Sequence, residues 1–428
     1  MKVKVITLGC KVNQYESEAM LSDLMQNGFT VAENDEQADV VILNSCTVTA
    51  ESDRKVRQLF RRAKKDNPNA VMVLSGCMAQ AFPDDAERLE EADIILGTSN
   101  RKKLLPHLLT FLSARQRIID IAPHTKDEKF EELQVDNFTA RTRTFVKIQD
   151  GCNRFCSYCI IPYARGRVRS KPLEDLKKEL CGLASHGYKE VVLTGINLST
   201  YGQEFGLHLC DAIEAACETN GIERVRLGSL EPEQFSPDVI ARMAKQPKLC
   251  PQFHLSLQSG SDATLKRMNR HYTSDEYRTI VKNLRSAFEN AAITTDIMVG
   301  FAGETDDEFA ASLSFAREIE FAKVHVFAYS RRPGTKAYSM PGQLTNAVKE
   351  ERSREMIRVT TETQLHFFER QVGRTEAVLF ERAVAPDMYE GYSMNYTPIL
   401  AKSGTDISGQ ILNVKIKSFT DTHCIGVL

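Results

Sequence analysis

Tryptophan is absent from the 428-residue chain, and no apolar run approaches the length needed to cross a bilayer. The first absence excludes nothing about function. The second removes a helical membrane span, and no membrane partner is expected. An excess of one charge is missing too. The 55 Lys/Arg and 57 Asp/Glu leave a formal charge of -2, which excludes a uniformly basic nucleic-acid protein and confines any RNA affinity to local patches. The first ten residues, Met1 to Cys10, hold too short an apolar stretch for a secretory signal and read as a strand. Cytoplasmic residence is therefore expected. Disulfides are rare there, so the eleven cysteines are better explained by metal or core roles. Hydrophobic residues at 42% suffice for sizeable cores and argue against general disorder. The length suggests about two to four domains.

Three thiols, Cys152, Cys156 and Cys159, stand within eight residues (CNRFCSYC). A curled backbone would turn all three toward one point. Three thiolates hold three irons of a four-iron, four-sulfur cube and leave the fourth iron open to another ligand. A zinc site would want a fourth ligand close by, and no His follows at finger spacing. Packed or spare thiols are the plain alternative. The spacing resembles that of the radical S-adenosylmethionine enzymes.

Residues 1–100 alternate β-branched runs (Lys2–Leu8, Asp39–Leu43, Val71–Leu74, Asp93–Leu96) with amphipathic stretches around Glu16–Gln26, Asp53–Lys65 and Gln80–Glu91. This is the pattern of a doubly wound parallel α/β domain, expected over 1–112. Cys10, Cys46 and Cys77 each fall two or three residues after one of the first three strands. They share the carboxyl edge of the sheet, where ligands collect and where helix amino termini favour an anionic cluster. A second three-thiolate cluster is expected there, against the alternative of three separate buried thiols. In Asp53–Lys65 (DRKVRQLFRRAKK), Val56, Leu59, Phe60 and Ala63 share a face and seven Lys/Arg cover the rest. That surface is either simply solvated or a phosphate-tracking patch.

The charged stretch His124–Glu132 marks a connection, placed at 113–140. Arg141–Arg143 then lead into the first of six strands: Thr144–Gln149, Glu190–Leu193, Arg224–Leu227, Phe253–Leu257, Thr294–Val299 and Lys323–Tyr329. Helices are expected between them at Pro172–His186, Leu207–Glu218 and Thr305–Ile319. Six such units make a partial (β/α)6 barrel with its site at the carboxyl face, expected over 141–370 with a trailing helix at Thr345–Gly373. Polar residues after the later strands are cofactor-binding candidates: Gly195 and Asn197, Ser229 and Glu231, Gln258 and Ser259, Gly300 and Glu304. Turn and cap roles are the alternative. Arg165, Arg167 and Arg169, just beyond the thiol loop, are candidates for RNA phosphates, the cofactor carboxylate or the cluster. Cys210 and Cys217 share a helix face and read as core. Residues 371–428 show four short strands, Glu376–Phe380, Gly391–Tyr396, Ile411–Ser418 and His423–Val427. They suggest a small antiparallel barrel, a frequent RNA-binding shape.

Taken together, the chain resembles the methylthiotransferases over essentially its whole length. The motifs are Thr7–Ser17 (TLGCKVNQYES), Asn44–Val48 (NSCTV), Ser75–Cys77 (SGC), Gly151–Pro162 (GCNRFCSYCIIP), Leu255–Gly260 (LSLQSG), Gly300–Thr305 (GFAGET) and Tyr329–Thr335 (YSRRPGT). The first is most similar to the tRNA branch acting on N6-threonylcarbamoyladenosine, and the tail is similar to the family's TRAM domain. The resemblance implies two 4Fe-4S clusters, on Cys152, Cys156, Cys159 and on Cys10, Cys46, Cys77. It implies S-adenosyl-L-methionine as radical source and methyl donor, with Tyr158 at the cofactor. It implies methylthio insertion at C2 of the adenine in a tRNA anticodon stem-loop, with an electron donor and a sulfur source, and no side-chain acid–base pair. Isopentenyl-adenosine tRNA or a ribosomal-protein aspartate are alternative substrates, and a non-catalytic iron–sulfur RNA-binding protein is the alternative from another class.

Overall fold

Continuous β-branched runs bury on both faces, and the first domain is built on them. The computed structural model describes residues 1–33, 36–133, 135 and 142–428. Its first sheet is six-stranded and parallel, in the order β2-β1-β3-β4-β5-β6. The strands are β1 (Lys2–Thr7), β2 (Thr30–Val31), β3 (Val40–Ser45), β4 (Val71–Gly76), β5 (Ile94–Leu96) and β6 (Ile118–Asp120). The four expected strands are β1, β3, β4 and β5, the first three of six residues each. Strand β6, inside the stretch expected as a connection, closes the sheet beyond β5. Arg141 and residues 136–140 of that connection lie outside the described residues.

Helix α1 (Lys11–Gln26) follows β1 and α2 (Ala50–Asp66) follows β3. The Oγ1 of Thr49 caps α2 by accepting from the Ser52 amide at 3.1 Å, with Glu51 and Asp53 in the first turn and Lys64 and Lys65 in the last. Val56, Phe60 and Ala63 face the core, as the pattern predicts. The expected helix at Gln80–Glu91 is instead two short ones, α3 (Cys77–Ala81) and α4 (Pro83–Glu87). Pro83 cannot continue a helix but starts one well.

In the central domain six parallel strands run in chain order: Arg143–Lys147, Glu190–Thr194, Arg224–Leu230 interrupted at Gly228, Gln252–Leu255, Ala292–Val299 and Lys323–Ala328. A Val225–Leu249 bridge joins the two halves, giving the partial barrel expected. Its helices at Leu173–Ser185, Leu209–Glu218 and Asp306–Ile319 match the sequence reading within two residues. Cys210 and Cys217 are core. Tyr15 and Ala19 of α1 belong to the same apolar core as the barrel, so the first two domains share packing.

The long helix Asn346–Gln371, capped by Thr345, carries Phe367 and Phe368 into the core of a closed five-stranded barrel. That barrel includes a strand that was not expected, Pro398–Lys402.

Candidate active site

The parallel register places the first thiol triad. Thr7 pairs with Asn44, and Ser45 with Gly76, so Cys10, Cys46 and Cys77 leave three neighbouring strands at one edge. The order β2-β1-β3 reverses winding direction between β1 and β3, the switch point where such sheets collect ligands. Gly9, at φ +114°, backs onto Cys46: a Cβ there would lie 2.8 Å from that of Cys46. The backbone of the Cys10 loop therefore lies against the Cys46 side chain.

The second triad sits on a loop held from both sides. The Cys152 amide donates to the Gly166 carbonyl at 3.0 Å, and the Ser157 amide to that of Met268 at 3.0 Å. The Ala337 amide donates to the Ser157 carbonyl at 2.7 Å. Phe155 takes a left-handed turn, φ +50°, which curls the loop between its first two thiols.

Burial pushes the Cys46 thiol up to about 12 and raises those of Cys77, Cys152 and Cys159. Neutral buried thiols are inert, and cluster iron supplies the charge that turns them into thiolate ligands. Among the described residues no three His, Cys, Asp or Glu close around a single ion. Three thiols on a cube stand on separate irons and need no common point. The donor sets therefore suit cubes better than mononuclear metal.

Two guanidiniums flank the thiol loop, one of them bonded to a thiol. Arg270 donates to Cys156 Sγ at 3.3 Å and is paired with Glu231. Arg154 lies 3.8 Å from Glu231 and donates to Glu233 at 2.6 Å. Asn197 stands 3.8 Å from Cys152 Sγ through its Nδ2, while its buried Oδ1 has no partner. The buried Oε1 of Gln258 is likewise unpartnered, and Gln258 holds φ +69°. Orphaned acceptors, one of them beside the thiol loop and one after a later barrel strand, fit a polar cofactor that would complete them. The Tyr158 ring packs edge-on to Phe301 at 6.3 Å between centroids.

Other candidates are bound up locally. Glu304 accepts from the Gly300 amide at 2.7 Å and pairs with Arg352 at 2.7 Å, and Ser259 shares a 3.0 Å hydrogen bond with Ser312. These are turn and packing positions. Arg270 escaped the sequence analysis because it follows no strand end and carries no distinctive spacing, and Arg154 because it stands inside the thiol motif, where the cysteines were read and the arginine was not.

Arg165 and Arg169 require correction. Arg165 is fully buried and Arg169 is 4% exposed, so neither can meet an RNA phosphate. Arg165 donates through Nη2 to Glu16 at 3.0 Å and to Asn13 at 2.9 Å, and through Nε to Cys77 Sγ at 3.1 Å. Glu16 also pairs with Arg101 at 2.9 Å and Lys147 at 2.7 Å. Asp150 takes Lys147 at 2.6 Å and Arg169 at 3.5 Å. Glu131 meets Arg101 at 3.1 Å, and Glu128 meets Arg169 at 3.2 Å. This buried network crosses between the domains. Burial alone would raise the Glu16 carboxyl, but Arg101, Arg165 and Lys147 outweigh it and hold it down to about 2. Arg167 is exposed, as are Lys55 and Lys65 on α2.

A cavity of about 880 Å³ joins all three domains. Gly9, Cys10 and Lys11 form one wall, and Thr194, Gly195 and Ser229 mark strand ends of the barrel. His254, Asp296 and His325 point in from its last three strands, and Tyr392, Tyr396 and His423 close it from the last domain. Arg143 and Arg226 clamp that floor, lying 4.8 and 4.6 Å from the Tyr396 ring centroid. Its volume is within the usual range for small-molecule sites.

Residues 2–97 match the model of a family described as Uncharacterized protein family UPF0004, and residues 146–316 match the Radical SAM superfamily. The chain is 37% identical to the threonylcarbamoyladenosine tRNA methylthiotransferase MtaB of Thermotoga maritima, over 99% of this chain and 96% of that one. The MtaB of Bacillus subtilis is also 37% identical, over 96% and 92%. A tRNA-2-methylthio-N(6)-dimethylallyladenosine synthase of Pelotomaculum thermopropionicum is 34% identical over 100% and 97%. Among solved structures, the radical S-adenosylmethionine methyltransferase TsrM from Kitasatospora setae aligns with a TM-score of 0.57 at 14% identity, over 90% of this chain and 78% of that one. That likeness is one of fold. The full-length identity to the curated relatives decides the family: the chain belongs to the methylthiotransferases of the radical S-adenosylmethionine superfamily.

Proposed function

We propose that the chain places a methylthio group on C2 of N6-threonylcarbamoyladenosine beside the anticodon of a tRNA. The observation that supports this most is the shared cavity: Cys10 of the first triad lines one space with Gly195, two residues from the Asn197 that reaches Cys152 of the second. Cys152, Cys156 and Cys159 would hold one 4Fe-4S cluster, and Cys10, Cys46 and Cys77 the other. When bound, the clusters and S-adenosylmethionine supply one-electron cleavage of the cofactor and the sulfur and methyl group that are transferred.

The chain's own residues do the positioning. Arg270, locked by Glu231, sets its positive charge beside Cys156. Asn197 and Gln258 offer their free acceptor oxygens to the cofactor, with Tyr158 packed against Phe301 and Gly195 and Ser229 lining the cavity. Exposed Arg167 and the outer face of α2 are available to RNA phosphates, and the last domain floors the cavity. An electron donor and a sulfur source are required partners, and the tRNA substrate implies the cytoplasm. Among the described residues no helix is long and apolar enough to cross a membrane.

The test is nucleoside mass spectrometry of tRNA from cells lacking this protein. The methylthio form of threonylcarbamoyladenosine should vanish, and its persistence would refute the substrate. Anaerobic reconstitution separates the enzyme from an iron–sulfur RNA-binding protein. The enzyme takes up about eight irons per chain and releases 5′-deoxyadenosine when given reductant and cofactor.

A further inference from the structure

Lys11 is the first residue of α1, next to Cys10, and both line the 880 Å³ cavity. Its side chain is open to that space, yet it makes no hydrogen bond or salt bridge with any described residue. The carboxylates around the cavity are already served. Asp296 lies 3.3 Å from His254. Glu390 is met by His423 at 2.9 Å and by Arg382 at 2.9 Å. Glu190, just behind the wall, holds Arg226 at 2.9 Å. Arg143 and Arg226 also act on Lys11, so cations gather at this side of the open cavity, and among the described residues no carboxylate is bonded to the Lys11 ammonium, an arrangement that favours an anionic ligand.

We propose that the Lys11 ammonium binds the carboxylate of the threonylcarbamoyl tail, and that it is the residue by which this site prefers an amino-acid-modified adenine to an alkylated one. The inference rests on the substrate reading above. Its chemistry follows from the purine ring. C2, where sulfur is added, and C6, which carries the tail, flank the same ring nitrogen. A base whose C2 faces the Cys10 end of the cavity therefore sends its tail out along the same edge, and Lys11 is one residue from Cys10. An alkyl tail in that position would shut the ammonium away from water without a partner. A site built for a charged group rejects the analogue lacking it much more strongly than an apolar pocket rejects an extra methyl. The competing role for Lys11 is as counter-ion to a cluster held at Cys10, in which case it would be indifferent to the tail.

The experiment uses cluster-loaded full-length protein and a short anticodon-loop RNA hairpin in three forms: threonylcarbamoyladenosine, its methyl ester and dimethylallyladenosine. Equilibrium binding and kcat/KM are both measured. The unaltered protein should bind the acid about tenfold to hundredfold more tightly than the ester. Lys11→Met should lose that ratio while Lys11→Arg keeps most of it. Equal binding of acid and ester by the unaltered protein overturns the proposal, as does a Lys11→Met protein that keeps the acid preference. If Lys11→Met fails to load iron, the acid–ester comparison on the unaltered protein decides. Turnover of only the dimethylallyl hairpin would defeat the substrate reading itself, whereas turnover of the acid without preference over the ester defeats only the role of Lys11.

Discussion

Glu16→Gln tests the buried network between the first two domains. Around it stand four cations (Arg101, Lys147, Arg165, Arg169) and four carboxylates (Glu16, Asp150, Glu128, Glu131), so the set is formally neutral. The amide keeps the shape of the side chain but leaves one uncompensated positive charge where Glu16 and Arg165 are 0% exposed. Removing one partner from such a network costs about 3–5 kcal/mol. Linkage gives a similar size. A carboxyl held at about 2 in the folded chain, against 4.5 for the free group, contributes about 3 kcal/mol. The sign follows from the depressed value: this stability is fully present above about pH 4.5 and is lost as pH falls toward 2. Urea unfolding of the iron-free chain, followed by circular dichroism because Trp is absent, should show the full deficit at pH 7. The gap between parent and variant should narrow in acid. A second arm, Glu16→Leu with Arg101→Met, removes one charge of each sign and should be less damaging than the sum of the single changes. A deficit under about 1 kcal/mol at pH 7, or one that stays constant into acid, would refute the reasoning.

Cys46→Ala should halve the iron content and abolish methylthio insertion while 5′-deoxyadenosine release stays detectable, because the Cys152 loop lies in another domain. Loss of cofactor cleavage with that cluster still present would show the roles are not separable. Gly151→Ala should deplete the Cys152-loop cluster. Gly151 holds φ +73°, and a Cβ there would overlap the Arg167 carbonyl; iron titration and cluster absorbance check this. Tyr396→Ala removes the ring over which Arg143 and Arg226 lie. It should weaken docking of the last domain by about 1–3 kcal/mol, read as faster amide exchange at 392–397 with the barrel core unchanged.

The longer strands of the first two domains and the placement of the six thiols at strand ends and in one loop were legible because each is specified locally. A continuous β-branched run needs no distant partner to be read as a buried strand, and a thiol after it inherits its position. The misplaced features depend on remote partners. Arg165 and Glu16 are 149 residues apart, and a run of arginines looks the same in sequence whether water or a buried carboxylate awaits it. Pro398–Lys402 opens on a proline and is too short for alternation to show. Strand β6 comes three residues after the helix Leu104–Ala114 and has only three residues itself. Lys11 stood inside a recognised motif, but only the assembled cavity reveals that it has no hydrogen-bond or ion-pair partner among the described residues.

Arg165 explains why the network is built from charges rather than from apolar packing. The residue closes a five-residue helix, Ile161–Arg165, that begins two positions after Cys159, and its Nε ends 3.1 Å from Cys77 Sγ. One short rigid element therefore runs from the second triad to the first. An apolar interface of equal area would bind the domains as firmly but would let them slide, since the hydrophobic effect is non-directional. A planar guanidinium that must satisfy Glu16, Asn13 and Cys77 together accepts one orientation. For chemistry that depends on a short fixed distance between two loaded sites, positional precision is worth more than net stability. The desolvation of four buried cations is the physical consequence of that requirement.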